Sequence, residues 1–99
     1  MNIQIHSVKF DADRKLLNFI NQKVSKLSQF SNDIVSVEVF LRIIKDQDRE
    51  NKLVEIKLEY PRGPLFAKKQ SKTFEEATDN VIEALKKQVT RQKDKMKRK

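Results

Sequence analysis

Basic residues that could neutralise a row of phosphates are concentrated at the C-terminal end of this chain. Between Lys86 and Lys99 there are eight Lys or Arg residues and one Asp, a net charge of +7. The whole 99-residue chain carries +8, so everything before Lys86 contributes only +1. A nearly neutral body with a cationic end is typical of proteins that bind a polyanion. Because phosphate neutralisation dominates affinity for nucleic acids, the run predicts an RNA contact.

A purely structural explanation of this basic run is weaker. Cations favour the last turn of a helix, but that effect is confined to about one turn, and the run spans about four. A second group, Lys68, Lys69 and Lys72, lies just before the last predicted helix. These lysines either protect an edge strand from pairing or join the same RNA-binding surface. Both explanations of the second group stay open from the sequence.

Little else in the sequence could do covalent chemistry. The chain has no Cys, one His (His6) and one Gly. These counts exclude a thiolate nucleophile and a glycine-rich phosphate loop, and a lone His is more often structural than catalytic. We therefore predict that the protein is not an enzyme. We expect no catalytic residue, no metal site, no cofactor and no small-molecule substrate.

Alternating apolar residues predict four strands. The first covers residues 2–8, and the strongest covers residues 34–44. In that second strand one face is apolar and Phe40 lies on the other, where we expect it to cover a neighbour rather than stack on a base. A charged loop at residues 45–52 leads to a third strand, and a Pro/Gly turn leads to a fourth. The apolar face of the second strand would consist of Val35, Val37, Val39, Leu41 and Ile43.

Apolar residues at spacings of three and four predict two helices. The first runs from about residue 13 to 28. The second runs from residue 74 to 97 and begins after the capping sequence Thr73-Phe-Glu-Glu76. Its apolar stripe ends at Val89, so residues 90–99 are predicted to form a basic C-terminal helical extension or tail. The stripe consists of Phe74, Ala77, Val81, Leu85 and Val89.

The predicted element order, β-α-β-β-β-α, indicates an α+β fold. We expect a single domain over residues 1–99, with a four-stranded mixed sheet and two helices packed on one face, as in double-stranded-RNA-binding domains. The helical crossover predicts that the first two strands are parallel neighbours. The absence of Cys and of a signal-like N-terminus predicts a cytoplasmic protein, and no run approaches the roughly 18 apolar residues of a membrane span.

The second helix carries a more specific pattern. Residues 81–97 contain the form apolar-x-x-Leu-x-Arg/Lys-Gln-apolar, as Ile82 to Val89, followed by Lys-x-Lys at Lys93 and Lys95. This resembles the C-terminal signature of the bacterial ribosome hibernation-promoting factors, also called ribosome-associated inhibitors or sigma-54 modulation proteins. The sequence from Lys23 to Phe30 resembles the end of that family's first helix. The resemblance extends over the whole chain, although residues 67–73 are more basic than in the family.

The resemblance implies a non-enzymatic ribosome hibernation factor of stationary-phase or starved cells. Such a factor binds the small ribosomal subunit and its rRNA in the decoding region, inhibits translation as part of a stress response, and is a monomer off the ribosome. The chain resembles the family's short form, which either promotes ribosome pairing or inactivates single ribosomes. The basic positions carried over from the family are Lys23, Lys26, Lys87, Arg91, Lys93, Lys95 and Lys97; Lys68, Lys69 and Arg98 are added from charge alone.

Two other functions are compatible with the same residues. A generic double-stranded RNA-binding module would bind free duplex RNA as well as ribosomes. A protein-binding adaptor would use the basic arm to contact an acidic partner. An acylphosphatase-like enzyme is excluded, because Arg62-Gly63 does not supply a glycine-rich phosphate loop.

Overall fold

Four strands and two helices follow one another in the predicted order. The computed structural model describes residues 1–45 and 49–97, with the backbone alone for residues 93–97. A 3-10 turn at Lys26–Gln29 extends the first helix, and the predicted hairpin loop is shorter because Lys52 already belongs to a strand. The elements are β1 (Asn2–Ser7), α1 (Arg14–Ser25), β2 (Ser36–Ile43), β3 (Lys52–Glu59), β4 (Leu65–Ser71) and α2 (Phe74–Lys97).

The order of the strands across the sheet is the same as their order in the chain, β1-β2-β3-β4. β1 is parallel to β2, with Ile5 opposite Val39, as the helical crossover predicts. The other two pairs are antiparallel, with Ile56 of β3 between Val39 of β2 and Ala67 of β4. This mixed sheet with both helices on one face confirms the predicted fold class.

Each helix begins at a side-chain cap that the sequence supplies. The Asp13 carboxylate accepts a hydrogen bond from the Leu16 backbone N–H at 2.8 Å. The Thr73 hydroxyl accepts one from the Glu76 backbone N–H at 3.1 Å, as the capping sequence predicts. Such bonds satisfy N–H groups that have no partner within the helix. The turn before β4 closes with a bond from the Gly63 N–H to the Tyr60 carbonyl at 2.9 Å.

The core lies between the sheet and the two helices. All five predicted stripe residues of α2 are buried, and Leu85 and Val89 are completely inaccessible. Burying one large apolar side chain contributes about 1.5–3 kcal/mol, so this interface is the main source of stability. The strands and α1 contribute Ile20, Val24, Leu27, Val37, Val39, Leu41, Val54, Ile56 and Leu58 to the same core.

The prediction for β2 is wrong at both ends. Val35 and Ile43 were expected to face inward with their neighbours, but their exposed fractions are 57% and 52%. Val35 precedes the strand and Ile43 is its last residue. At the start of the strand the adjacent Ile34, only 6% exposed, is the residue buried in the core, so the inward alternation does not extend to Val35. At the other end, Leu41 is the last residue of β2 that belongs to the core, and Ile43 lies beyond it.

The second helix is longer than the core it packs on. Its 24 residues span about 36 Å at 1.5 Å per residue, and the molecule is 47 Å along its longest axis. Val89 is the last described side chain of α2 that is buried, and Gln92 is half-buried. The helical backbone continues to Lys97, so the last turns extend past the packed region.

The opposite face of the sheet is not covered by a helix. His6 of β1 stacks on Phe40 of β2, with ring centroids 4.9 Å apart, and its Nε2 lies 3.0 Å from a Glu38 carboxylate oxygen. Arg42 donates to Glu55 at 2.6 Å, across β2 and β3. Phe40 covers a neighbouring strand residue, as expected, and His6 has a structural partner. We call this surface the open sheet face.

Candidate nucleic-acid interface

The two helices place their outer surfaces side by side. Ile20 and Val24 of α1 and Val81 of α2 are buried beneath them, which fixes the sides that face solvent. Lys23 of α1 contacts the Asp79 carboxylate of α2 at 3.4 Å, so one ion pair crosses the gap between the helices. The side chains that remain exposed therefore form a continuous surface, which we call the helical layer.

One concavity of the helical layer lies between α1 and α2. It has a volume of about 270 Å³, and its lining includes Lys23 of α1, Lys26 of the 3-10 turn and Lys86 of α2, together with the acids Asp79 and Glu83. The Lys86 ammonium lies 4.9 Å from the ring centroid of Phe30, and the Lys23 ammonium lies 5.5 Å from that of Phe19. These cation–π contacts help to orient the two lysines, which also pair with Asp79 and Glu83. Three ammonium groups are thus held around one cleft.

A second concavity lies on the other side of α2, against β4. It has a volume of about 520 Å³, and we call it the α2–β4 groove. The Gln88 side-chain amide donates to the Phe66 carbonyl at 3.0 Å, which ties α2 to the edge strand beneath the groove. The cations of the groove come from two elements. Lys69 lies on β4, and Lys87 and Arg91 lie about one turn apart on α2. The groove is lined by Lys69, Asn80, Glu83, Ala84, Lys87, Gln88 and Arg91.

Comparisons with known proteins show the family of this chain. Residues 3–97 match the sequence model of the family described as sigma 54 modulation protein / S30EA ribosomal protein. The chain belongs to this family. A ribosome hibernation promoting factor from Klebsiella oxytoca is 28% identical over 97 residues, which is 98% of this chain and 96% of that protein.

Two solved structures share the S30EA fold of this chain. A ribosomal subunit interface protein from Coxiella burnetii has a TM-score of 0.84 at 18% identity, covering 95% of this chain and 99% of that one. The N-terminal domain of Protein Y from Thermus thermophilus has a TM-score of 0.75 at 18% identity, covering 92% and 98%. At that identity the likeness shows the fold alone.

The structure brings together part of the predicted RNA-binding set in this S30EA member. Lys23 and Lys26 lie at one cleft, and Lys69, Lys87 and Arg91 lie at the groove on the other side of α2. Residues from α1, α2 and β4 therefore share one surface. The side chains of Lys93, Lys95 and Lys97, and all of Arg98, lie outside the described residues.

Lys68 lies on the other side of the molecule. It pairs in register with Glu55 of β3, on the open sheet face, whereas its neighbour Lys69 pairs with the buried Val54. Successive residues of a strand point to opposite faces, so the two lysines cannot share a surface. The expectation that the β4 lysines join the basic helix is met by Lys69 and not by Lys68.

Sequence reasoning gave two other residues incomplete roles. The Gln88 amide group bonds the β4 backbone, a contact that the sequence did not indicate. Lys86 was counted in the basic run but was not predicted as an RNA-binding residue, although it lines the α1–α2 cleft. Its spacing of seven from Asp79 is two helical turns, a signal that could have placed it on the side of α2 facing α1.

The described part of the chain shows no other kind of site. It contains no cluster of three or more His, Asp or Glu side chains suited to a metal ion. None of the helices within the described residues has the length and apolar character needed to span a membrane. Every buried side-chain nitrogen or oxygen in the described residues has a hydrogen-bond partner.

Proposed function

We propose that this protein is a ribosome hibernation factor. It binds the small ribosomal subunit in the decoding region through the helical layer, contacts rRNA, and inhibits translation in stationary or starved cells. It acts in the cytoplasm by binding rather than by catalysis, and it is a monomer off the ribosome. The observation that carries the proposal is the convergence of cations from α1, α2 and β4 on one surface of an S30EA family member.

The names of its relatives support the same function. The Klebsiella oxytoca protein is called a ribosome hibernation promoting factor, and the Coxiella burnetii structure is described as a ribosomal subunit interface protein. This chain spans 96% of the first and 99% of the second, so the likeness extends over nearly their whole length.

Electrostatics would supply most of the binding energy. Each phosphate that a Lys or Arg neutralises releases condensed counterions, and this release drives association more strongly at low salt. If five or six cations meet phosphates, the logarithm of affinity should fall with the logarithm of salt at a slope of roughly −4 to −5. Inhibition then follows from occupancy, because a protein bound in the decoding region occupies the space that messenger and transfer RNA need.

The basic arm at residues 90–99 adds to this surface under the proposal. The backbone of α2 continues beyond the buried Val89 to Lys97. Cations carried on those turns can therefore contact rRNA without disturbing the core. A chain ending at Gln92 should stay folded and should bind ribosomes by orders of magnitude more weakly.

Sedimentation through sucrose gradients tests the proposal directly. The full chain and the chain ending at Gln92 are each mixed with purified small subunits at 50 mM and 200 mM salt, and the same proteins are added to a cell-free translation system. The full chain should travel with the small subunit, more so at low salt, and should stop protein synthesis. A full chain that stays at the top of the gradient at low salt would overturn the proposal.

The same assay separates the generic RNA-binding alternative. A double-stranded RNA-binding module would bind a free RNA duplex as tightly as it binds the small subunit. The proposal instead requires that excess duplex fail to compete the protein off the subunit. Effective competition at equal nucleotide concentration would favour the alternative.

A further inference from the structure

One carboxylate of α2 lines all three concavities of the helical layer. Glu83 lines the α1–α2 cleft and the α2–β4 groove, and also a third concavity along α2. Its side chain is 68% exposed. The Glu83 carboxylate lies 3.5 Å from the ammonium of Lys86, three residues further along the same helix. Such an exposed contact contributes little to stability. Packing and pairing therefore do not account for this acid.

An acid in this place constrains what can lie opposite it. A phosphate beside Glu83 would be repelled, whereas a hydrogen-bond donor would be attracted. Ribose offers such a donor, the 2′-hydroxyl, beside the phosphates of every RNA strand, and DNA lacks it. Hydrogen bonds to an ionised acceptor are also stronger than bonds between neutral groups.

The α2–β4 groove has the size and lining for one nucleotide unit. Its volume of about 520 Å³ lies within the roughly 300–1,000 Å³ range of small-ligand sites. Along α2, Glu83, Lys87 and Arg91 follow one another at intervals of about one helical turn, or roughly 5–6 Å. Ala84 leaves room at the base of the groove, and the bond from Gln88 to Phe66 fixes the distance between α2 and β4.

We propose that the α2–β4 groove is a ribonucleotide subsite. Lys69, Lys87 and Arg91 bind a phosphate of the RNA backbone, and the Glu83 carboxylate accepts a hydrogen bond from the adjoining ribose 2′-hydroxyl. This inference rests on the proposed RNA-binding function and adds the residue by which RNA is distinguished from DNA.

Three labelled 12-nucleotide strands of one mixed sequence test the subsite: RNA, 2′-O-methyl RNA and DNA. Fluorescence anisotropy at low salt gives the affinity of the full chain for each. The wild-type protein should bind RNA roughly tenfold more tightly than either strand that lacks the hydroxyl donor. A fourth RNA, with inosine in place of guanosine, tests the base amino group as the donor, and its affinity should equal that of the original RNA.

Glu83→Ala should change the preference rather than the overall strength of binding. The loss of a negative charge should tighten binding to DNA and to 2′-O-methyl RNA, while RNA loses its hydrogen bond, so the three affinities should come within about twofold. Glu75→Ala is the matched control, because Glu75 is an exposed acid in the first turn of α2. It removes the same charge and should leave the RNA preference unchanged.

Each outcome separates the subsite from the function on which it rests. If Glu83→Ala strengthens binding to all strands equally, Glu83 is only a surface charge and the subsite is wrong. Weaker binding of the inosine strand would assign the donor to a base. A protein that binds no strand but travels with ribosomes retains the proposed function and loses the subsite. One that binds neither strands nor ribosomes loses both.

Discussion

The two exposed surfaces of this fold differ in which of their cations lie beside an acid. On the open sheet face, cations and acids meet: His6 contacts Glu38, and Arg42 donates to Glu55. On the helical layer, Lys26, Lys69, Lys87 and Arg91 make no ion pair with any residue that the structure describes. Because both surfaces are exposed, this difference lies in charge pairing rather than in burial.

The comparison shows why net charge alone does not locate a binding surface. Strand register places Lys57 opposite Glu38, and Lys68 opposite Glu55, so each of these lysines has an acid as its cross-strand neighbour. The helical layer contains two ion pairs, Lys23–Asp79 and Lys86–Glu83, but four of its cations make none with a described residue. A polyanion can displace the counterions of those four. A chain with +8 overall therefore has one surface suited to phosphates and one that is not.

The largest expected effect is on the core that both surfaces share. Leu85→Ala should lower the free energy of unfolding by about 2–5 kcal/mol, because the side chain is completely buried and its removal leaves a cavity. Urea denaturation followed by circular dichroism measures this change. Thr90→Ala, an exposed change on the same helix, should stay within about 0.5 kcal/mol.

Ribosome binding by the same variant shows whether the interface depends on core packing. The folded fraction of Leu85→Ala should still travel with the small subunit, because none of its exposed cations is altered. A folded variant that no longer binds would show that the interface depends on the exact packing of α2.

A matched pair of double variants tests the two surfaces against each other. Lys87→Gln with Arg91→Gln removes two cations from the helical layer, and Lys57→Gln with Lys68→Gln removes two from the open sheet face. The first should lower ribosome affinity roughly tenfold to a hundredfold and reduce the magnitude of the salt slope by about 1.5, because two phosphate contacts are lost. Filter binding across a salt series measures both quantities.

The sheet variant is the control in that experiment. All four residues are exposed, so neither variant should lose stability. Equal losses of affinity would mean that overall charge alone drives binding and that the contrast between the surfaces has no functional meaning.

The smallest expected effect comes from breaking an ion pair on the open sheet face. Glu55→Gln removes the partner of Arg42, whose side chain is 42% exposed. Solvent screens such a pair, so stability should fall by only about 0.5–1 kcal/mol in thermal unfolding. Ribosome affinity should not change. A tenfold loss would place the open sheet face within the interface.

The sequence by itself determined the elements and most of the core. Apolar spacing located both helices, the Thr73 cap located the start of α2, and all five residues of its stripe are buried. These features could be predicted because helical and strand periodicities, and caps, depend on neighbours within a few residues. The basic positions on α2 came from the run of charge and from the family resemblance.

Only the tertiary structure decided which residues share a surface. Lys68 and Lys69 are neighbours in sequence but lie on opposite faces of β4, whereas Lys69 and Arg91 line one groove. Val35 and Ile43 fit the strand pattern and are still exposed. The role of Gln88 and the position of Glu83 at three concavities likewise depend on α2 packing beside β4 and α1. Such relations join elements far apart in the chain, and local periodicity carries no information about them.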